Sequence, residues 1–561
     1  MAGRATSATS PSPPLRLRLR SPHGRRGPCG PLPACGERGC AAPPVIPGLV
    51  GTEDASVLTP ERRAHVHDTP TIDRRTLLGG IATAAAVAAS PARGTEANAI
   101  TAASAGELAE AIRSRRYSAV EVVEAHLARI AAVNPRLNAV VQVTAESARR
   151  EAAAADAALA RGEAPKPLHG VPVTIKDTLE TAGVVCTGGT LGRAGFVPKA
   201  DATAVARLRA AGAIVLGKTN VPELAGALET DNLVYGRTNN PYDLARTPGG
   251  SSGGEAAIVA AGGSPLGLGT DAGGSIRVPA HYCGLAALKP TSGRIPRTGQ
   301  FPRPMGARNS VFHVSLIARR VDDLALALPV VAGPDFSDYT IVDMPLRDPR
   351  AVVLRGLKLA CFDDDGASAP TPEIAAAIRS AARAFAEAGL AVEERRLPDA
   401  DKAAAIYYDM TPGDGGAGTR AFLRSIGTDR ISPLFEQSLS SRAAPAMPDI
   451  TAALAAFNRW DAFRNAQLAF LHGYDAVLSP VLPYVAPPHG TSFDPMLQRG
   501  AGYAQNHNLT GWPAVAVRVG TSHEGMPIGV QVAAHPWRED VALALGRHLK
   551  ASFGGFSPPP L

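Results

Sequence analysis

Gly170-Val171-Pro172-Val173-Thr174-Ile175, running on into Lys176-Asp177, is the stretch on which the fold turns. It is short, β-branched and bounded by glycine and proline, which reads as a buried strand. Upstream, Leu108, Ala111 and Ile112, then Val120, Val123, Ala125 and Leu127, recur at helical spacing, so residues 105–160 are expected to be helical. Ser118 with Glu121 three residues later has the form of a capping box. Downstream, a helix over 204–211 and a strand over 213–216 follow, residues 365–475 read as mostly helical, and 477–478 and 514–519 return to strand. This alternation predicts an α/β sheet with helices on both faces. One oversized unit with a helical insertion fits better than two domains, and no internal repeat is present.

The chain has 561 residues, is 45% hydrophobic and 19% charged, and holds six cysteines. It is too apolar for a disordered chain and too poor in cysteine for a disulfide scaffold. No apolar run is long enough to span a bilayer. The net charge of +7 is uneven: residues 1–70 carry +4, 71–99 carry +1 and the remainder only +2. A body so close to neutral gives no electrostatic case for nucleic-acid binding. Cys186, Cys283 and Cys361 lie far apart in that body, in no zinc-binding pattern, and are expected to be buried free thiols.

Residues 1–70, rich in Pro, Arg, Gly and Ser, are expected to be a disordered extension, with a non-Met start at Val57 or Val66 as the alternative. Residues 71–99 read as a twin-arginine export signal: Arg74-Arg75 precede a mild Ala/Gly-rich stretch, and Ala97-Asn98-Ala99 offers a cleavage site that would leave Ile100 first. That reading places the mature protein outside the cytoplasm. An Ala-rich linker with a chance arginine pair is the plainer alternative.

The chemistry concentrates in Pro248-Gly249-Gly250-Ser251-Ser252-Gly253-Gly254-Glu255 and Gly267-Leu268-Gly269-Thr270-Asp271-Ala272-Gly273-Gly274-Ser275-Ile276-Arg277. Residues 248–277 contain ten glycines. A packed protein keeps such runs where φ is positive or the chain must approach something closely. Ala272-Gly273-Gly274-Ser275 can turn successive N–H groups inward as an anion nest, which beside a serine is an oxyanion hole. A phosphate cradle is the rival, but the lysine of a P-loop is missing after Gly254. Lys176 at the end of a buried strand must be stabilised by neighbours or lose its proton, and only the neutral amine is a base. Residue type alone leaves a surface lysine as the simpler reading.

Taken together, 173–177, Gly217-Lys218-Thr219-Asn220, Asn240-Pro241, 249–254, 269–277, Leu288-Lys289-Pro290-Thr291, Pro480-Val481-Leu482-Pro483 and Asn508-Leu509-Thr510-Gly511-Trp512-Pro513 closely resemble the amidase signature family. The resemblance runs from about residue 100 to about 550, with Lys176, Ser251 and Ser275 in order at family-like intervals. It implies a single α/β/α amidase domain over 100–555, with a central mixed sheet flanked by helices. It also implies amide hydrolysis through a serine acyl-enzyme without metal or cofactor. Ser275 would attack the carbonyl. Ser251, in a cis peptide in family members, would relay protons between Ser275 and the Lys176 amine. The N–H groups of Ala272, Gly273, Gly274 and Ser275 would hold the oxyanion. Asp271 and Arg277 would form a structural ion pair, and Ser252 would bond nearby backbone.

Gly253-Gly254-Glu255-Ala256, 279–284 and Asp414-Gly415-Gly416 look most like the branch that contains fatty acid amide hydrolases. In that branch Ala225 falls at an acyl-channel position, and the small Ala225 and Gly226 would make the channel roomy. The expected partner is a small-molecule amide, such as an acyl, fatty or aryl amide, with some ester cleavage. No nucleic acid or membrane segment is expected in the mature chain, and a homodimer is the assembly considered. Three rivals stand beside this. One is the glutamine-hydrolysing subunit of a tRNA-dependent amidotransferase. Another is an α/β-hydrolase in which Ser252, within a G-x-S-x-G match, attacks with help from His507, His523 or His535. The last is a catalytically silent binding protein.

Overall fold

The computed structural model describes residues 91–561 apart from 305, 410–415 and 442–448. The extension over 1–70, the arginine-bearing part of the export segment, and Asp414-Gly415 lie outside the described residues. Ala97-Asn98-Ala99 falls within the helix Pro91–Ala102.

The described strands form one mixed sheet. They are β1 Val140–Val143, β2 Pro172–Lys176, β3 Ile214–Thr219, β4 Leu266–Asp271, β5 Ala286–Lys289, β6 His313–Ala318, β7 Lys358–Cys361, β8 Ala391–Glu394, β9 Ala476–Pro480, β10 Ala514–Thr521 and β11 Pro527–Ala534. Across the sheet they run β1-β3-β2-β4-β6-β5-β10-β11-β9-β7-β8. β2 lies parallel to both β3 and β4 and is buried along its whole length. A strand covered on both faces has no solvent side to make polar, which is why Val173 and Ile175 are both buried and the one polar residue between them, Thr174, is buried as well. The helix Ala119–Leu137 begins with the expected capping box: Ser118 Oγ accepts the Glu121 N–H, and the Glu121 carboxylate accepts the Ser118 N–H.

Two short strands depart from the helical reading. β1 pairs antiparallel with β3, Val140 opposite Thr219 and Gln142 opposite Lys218. Its four residues sit between two Ala-rich helices whose periodicity runs over it. β8 is mostly exposed and pairs only with β7, so it lacks the apolar signature of a core strand. Cys186, Cys283 and Cys361 are buried and free. Among the described residues, no helix is long and apolar enough to cross a membrane.

Close approach, more than unusual φ, explains the glycines of β4. A Cβ on Gly267 would overlap Glu255 Oε2, and one on Gly269 would stand 2.9 Å from Ser252 Oγ. Within 248–277, Gly249, Gly262 and Gly274 are the glycines that do have positive φ, 85°, 79° and 105°.

Candidate active site

Lys176 closes β2, and its side chain is fully buried. Its amine donates to Ser251 Oγ at 2.7 Å, Ser252 Oγ at 2.8 Å and Thr270 Oγ1 at 2.8 Å. Thr270 comes from the neighbouring strand β4, so the parallel pairing of β2 and β4 builds this cradle directly. Burial pushes the lysine down from its ordinary 10.5 to about 7, while the carboxyls of Asp271 and Glu255 pull it back up. The amine therefore sits near the balance between its charged and neutral forms at neutral pH.

Glu255 accepts hydrogen bonds from Thr174 Oγ1 at 2.7 Å and Thr219 Oγ1 at 3.0 Å. Burial pushes its carboxyl up to about 8 despite these hydroxyls and the nearby lysines, so a neutral acid predominates at pH 7. A neutral Glu255 does not lock the lysine as an ammonium. Neither Glu255 nor Thr270 was singled out as a site residue from sequence; each becomes legible only when the strands are laid side by side.

The serine block is held against the reactive turn by its own backbone. The peptide between Gly250 and Ser251 is cis, and the Ser252 N–H donates to the Ser275 carbonyl at 3.1 Å. Ser252 Oγ also donates to the Thr270 carbonyl at 3.2 Å. That hydroxyl is thus occupied on both sides, as the reading of Ser252 as a backbone-bonding residue expects. The histidines of the rival reading bond elsewhere or not at all. His523 meets Glu373 at 2.8 Å and His535 meets the Tyr474 carbonyl at 2.8 Å. His507 is buried with neither ring nitrogen hydrogen-bonded among the described residues.

The turn from Ala272 to Ser275 hangs from one buried carboxylate. Asp271 Oδ2 accepts Arg277 Nε at 2.9 Å, and Oδ1 accepts Arg277 Nη2 at 3.0 Å and Asn508 Nδ2 at 2.8 Å. Arg277 reaches on to Gln531 Oε1 at 2.7 Å and Asn508 Oδ1 at 2.6 Å. Burial pushes the Asp271 carboxyl up, but the Arg277 charge and the hydrogen bonds from Arg277 and Asn508 outweigh it and hold the group well below 3.8. Asp271 Oδ1 also takes the Gly274 N–H, at 2.8 Å. This corrects the expected nest: the Gly274 donor is committed to the carboxylate. Among the described residues, no acceptor takes the N–H of Ala272, Gly273 or Ser275.

Ala272, Gly273 and Ser275 line a cavity of about 600 Å³, and Ala225 lies in the same wall. Ser251 and Gly274, also expected to meet substrate, are not among the residues that line it. Most of the lining is apolar, with Leu224, Phe301, Phe312, Phe422 and Phe493 among its members. Among the described residues, Arg303 is its one charged side chain and no acid lines it. Gly226, expected with Ala225 to make the channel roomy, lines the same cavity, and Phe435 packs against it. A Cβ on Gly226 would overlap the Phe435 ring. Residues 295–315 and 400–500 supply much of the wall, and their identities carry no periodic signal that sequence reading could use.

A buried lysine bonded to two serines, beside a cavity lined by a third serine and free peptide N–H groups, is a site for acyl transfer. The family model described as Amidase matches residues 121–543. The chain belongs to the amidase family. This amidase is 37% identical over 470 residues to a glutamyl-tRNA(Gln) amidotransferase subunit of Roseiflexus sp. (strain RS-1), a match covering 78% of this chain and 93% of the relative. It superposes on fatty acid amide hydrolase with a TM-score of 0.74 at 26% identity, covering 82% of this chain and 86% of the other. On the peptide amidase of Stenotrophomonas maltophilia the TM-score is 0.70 at 28% identity, covering 82% and 98%. This amidase is thus an enzyme that hydrolyses amide C–N bonds. Its large mixed sheet flanked by helices is the amidase-signature fold.

Proposed function

We propose that this amidase cleaves amides of large apolar acids, with Ser275 as nucleophile, Ser251 as proton relay and Lys176 as base. The observation that carries the reading is the Lys176 amine, buried, near neutrality and 2.7 Å from Ser251 Oγ. In the first step the Ser275 hydroxyl bonds to the amide carbon and its proton passes through Ser251 to the amine. The N–H groups of Ala272, Gly273 and Ser275 receive the negative oxygen. The proton then returns to the leaving nitrogen, and water releases the acyl group by the same route in reverse. No step calls on a metal or cofactor.

The cavity supports the substrate class. Its volume is far more than an amino acid fills, and its aromatic lining favours an extended or ring-bearing acyl group. The amidotransferase relatives keep a second reading in view, hydrolysis of glutamine. Glutamine carries an α-ammonium that needs an acidic partner, and among the described residues no acid lines this cavity.

A panel of octanoyl, 4-phenylbutyryl and naphthoyl amides, with glutamine beside them, separates the readings. The expected result is turnover of at least one acyl amide and little of glutamine, with a fluorophosphonate probe attached to Ser275 in the peptide map. Attachment at Ser252, or a Ser275→Ala variant that still turns over amides, would overturn the assignment. Preferential hydrolysis of glutamine would transfer it to the second reading.

The same proposal takes Arg74-Arg75 and the following stretch as an export signal cleaved after Ala99. Secreted protein is expected to begin at Ile100. Recovery of the active protein only from the cytoplasm, with Asp73 retained, would remove export from the proposal.

A further inference from the structure

We propose that Gln505 reads the N–H of the amide being cleaved, and so makes the enzyme select primary and secondary amides over esters and tertiary amides. The inference rests on Ser275 being the nucleophile. It starts from the helix Gly502–Leu509, every residue of which is buried. Two polar side chains of that helix are paired: Asn506 exchanges hydrogen bonds with Gln467, and Asn508 bonds Asp271 and Arg277. Among the described residues His507 and Gln505 are not, and of these two only Gln505 lines the cavity. Gln505 is 3% exposed, yet its side-chain Oε1 has no hydrogen-bond partner among the described residues. Folded proteins rarely leave a buried acceptor unpaired without a use for it.

Its position supplies the use. Gln505 lines the same cavity as Ser275 and Gly273. Its stem lies against the turn: a Cβ on Gly273 would stand 3.5 Å from Gln505 Cγ, an ordinary contact, while crowding the Tyr407 hydroxyl at 2.9 Å. The carboxamide therefore hangs beside the turn whose N–H groups face the substrate carbonyl. A bound amide presents a carbonyl oxygen, which those N–H groups take, and one or two N–H donors on the leaving nitrogen. Turning the terminal carboxamide about its last bond would offer this enclosed, unpaired carbonyl to such a donor. An ester or a fully substituted amide offers no donor and leaves the acceptor buried and unmet, which is the arrangement that discriminates most strongly between otherwise similar substrates.

The test uses one acyl group, the one turned over fastest in the panel above, as its N-methylamide, its N,N-dimethylamide and its methyl ester. Comparing kcat/KM for the three confines the readout to acylation, because release of the acyl group is common to them. In Gln505→Met, kcat/KM for the N-methylamide is expected to fall at least tenfold further than for the ester. Gln505→Glu, which keeps an acceptor oxygen, should recover part of the amide-to-ester ratio. A loss equal for all three compounds would mean that Gln505 only shapes the wall, and an unchanged ratio would mean it does not meet the substrate; either overturns the proposal. Ester turnover shows that a variant is folded. Should the methionine variant not fold, Gln505→Asn, which withdraws the carboxamide from the wall, is read by the same ratio. Ser275→Ala run in parallel separates the two levels. An active Ser275→Ala defeats the underlying mechanism, whereas an inactive one with an unchanged ratio in Gln505→Met defeats this inference alone.

Discussion

Lys176→Met is expected to lower kcat/KM for the best amide substrate by at least about a thousandfold, the scale on which a positioned base and nucleophile act together. Methionine matches the length of the buried stem but cannot take a proton. In the parent enzyme kcat/KM should rise as pH passes through about 7 and level off above it, since burial holds the lysine there and the neutral amine is the working form. The sign matters: a base that must be unprotonated gives activity on the alkaline side. The residual rate of Lys176→Met should lose that inflection. Stability should change little or improve, because replacing a buried, strained cation with an apolar chain removes a desolvation penalty. Steady-state kinetics over pH 5–9 with urea unfolding of both proteins decide the matter. A variant within tenfold of the parent, or a parent profile that falls through pH 7, would show that the lysine is not the base.

Arg277→Met is expected to destabilise the protein by about 3–5 kcal/mol, because it strands the Asp271 carboxylate in the interior. In the parent the folded-state carboxyl lies below 3.8, so its contribution to stability is present above about pH 4 and is lost as the pH falls lower. In the variant the stranded group favours protonation, so the gap between the two proteins should narrow on acidification. Urea midpoints at pH 7 and pH 4.5 measure both effects. Arg277→Lys should not restore the parent, since one ammonium cannot replace the fork that grips both carboxylate oxygens at 2.9 and 3.0 Å. A loss below about 1 kcal/mol would mean that the pair is not what holds the turn.

Much of this site could be read before any coordinates. β2 is visible because a strand buried on both faces has no alternation to disguise it, and Lys176 stands at its end in both readings. The serine block stands out because close-packed glycines are rare without a reason. What escaped was whatever depends on a second chain segment. Gly274 looks like an oxyanion donor until Asp271 takes its N–H. Gly226 lines the cavity as read, but the need for a glycine there comes from Phe435, more than two hundred residues later, whose ring a Cβ would overlap. Gln505 lies in a helix buried all round, where no apolar periodicity marks one face as special. β1 was hidden by strong helices on either side, and β8 by its exposure.

The clasp on Asp271 draws its far ends from Asn508 and from Gln531 on β11, more than two hundred residues after the turn. A ribosome must therefore have passed Gln531 before the reactive turn can be set. Truncation products ending ahead of Gln531 would release protein in which Ser275 is already made but not yet armed. Any attempt to divide the enzyme into complementing fragments has to reunite those last strands with the first half before a single bond is cut.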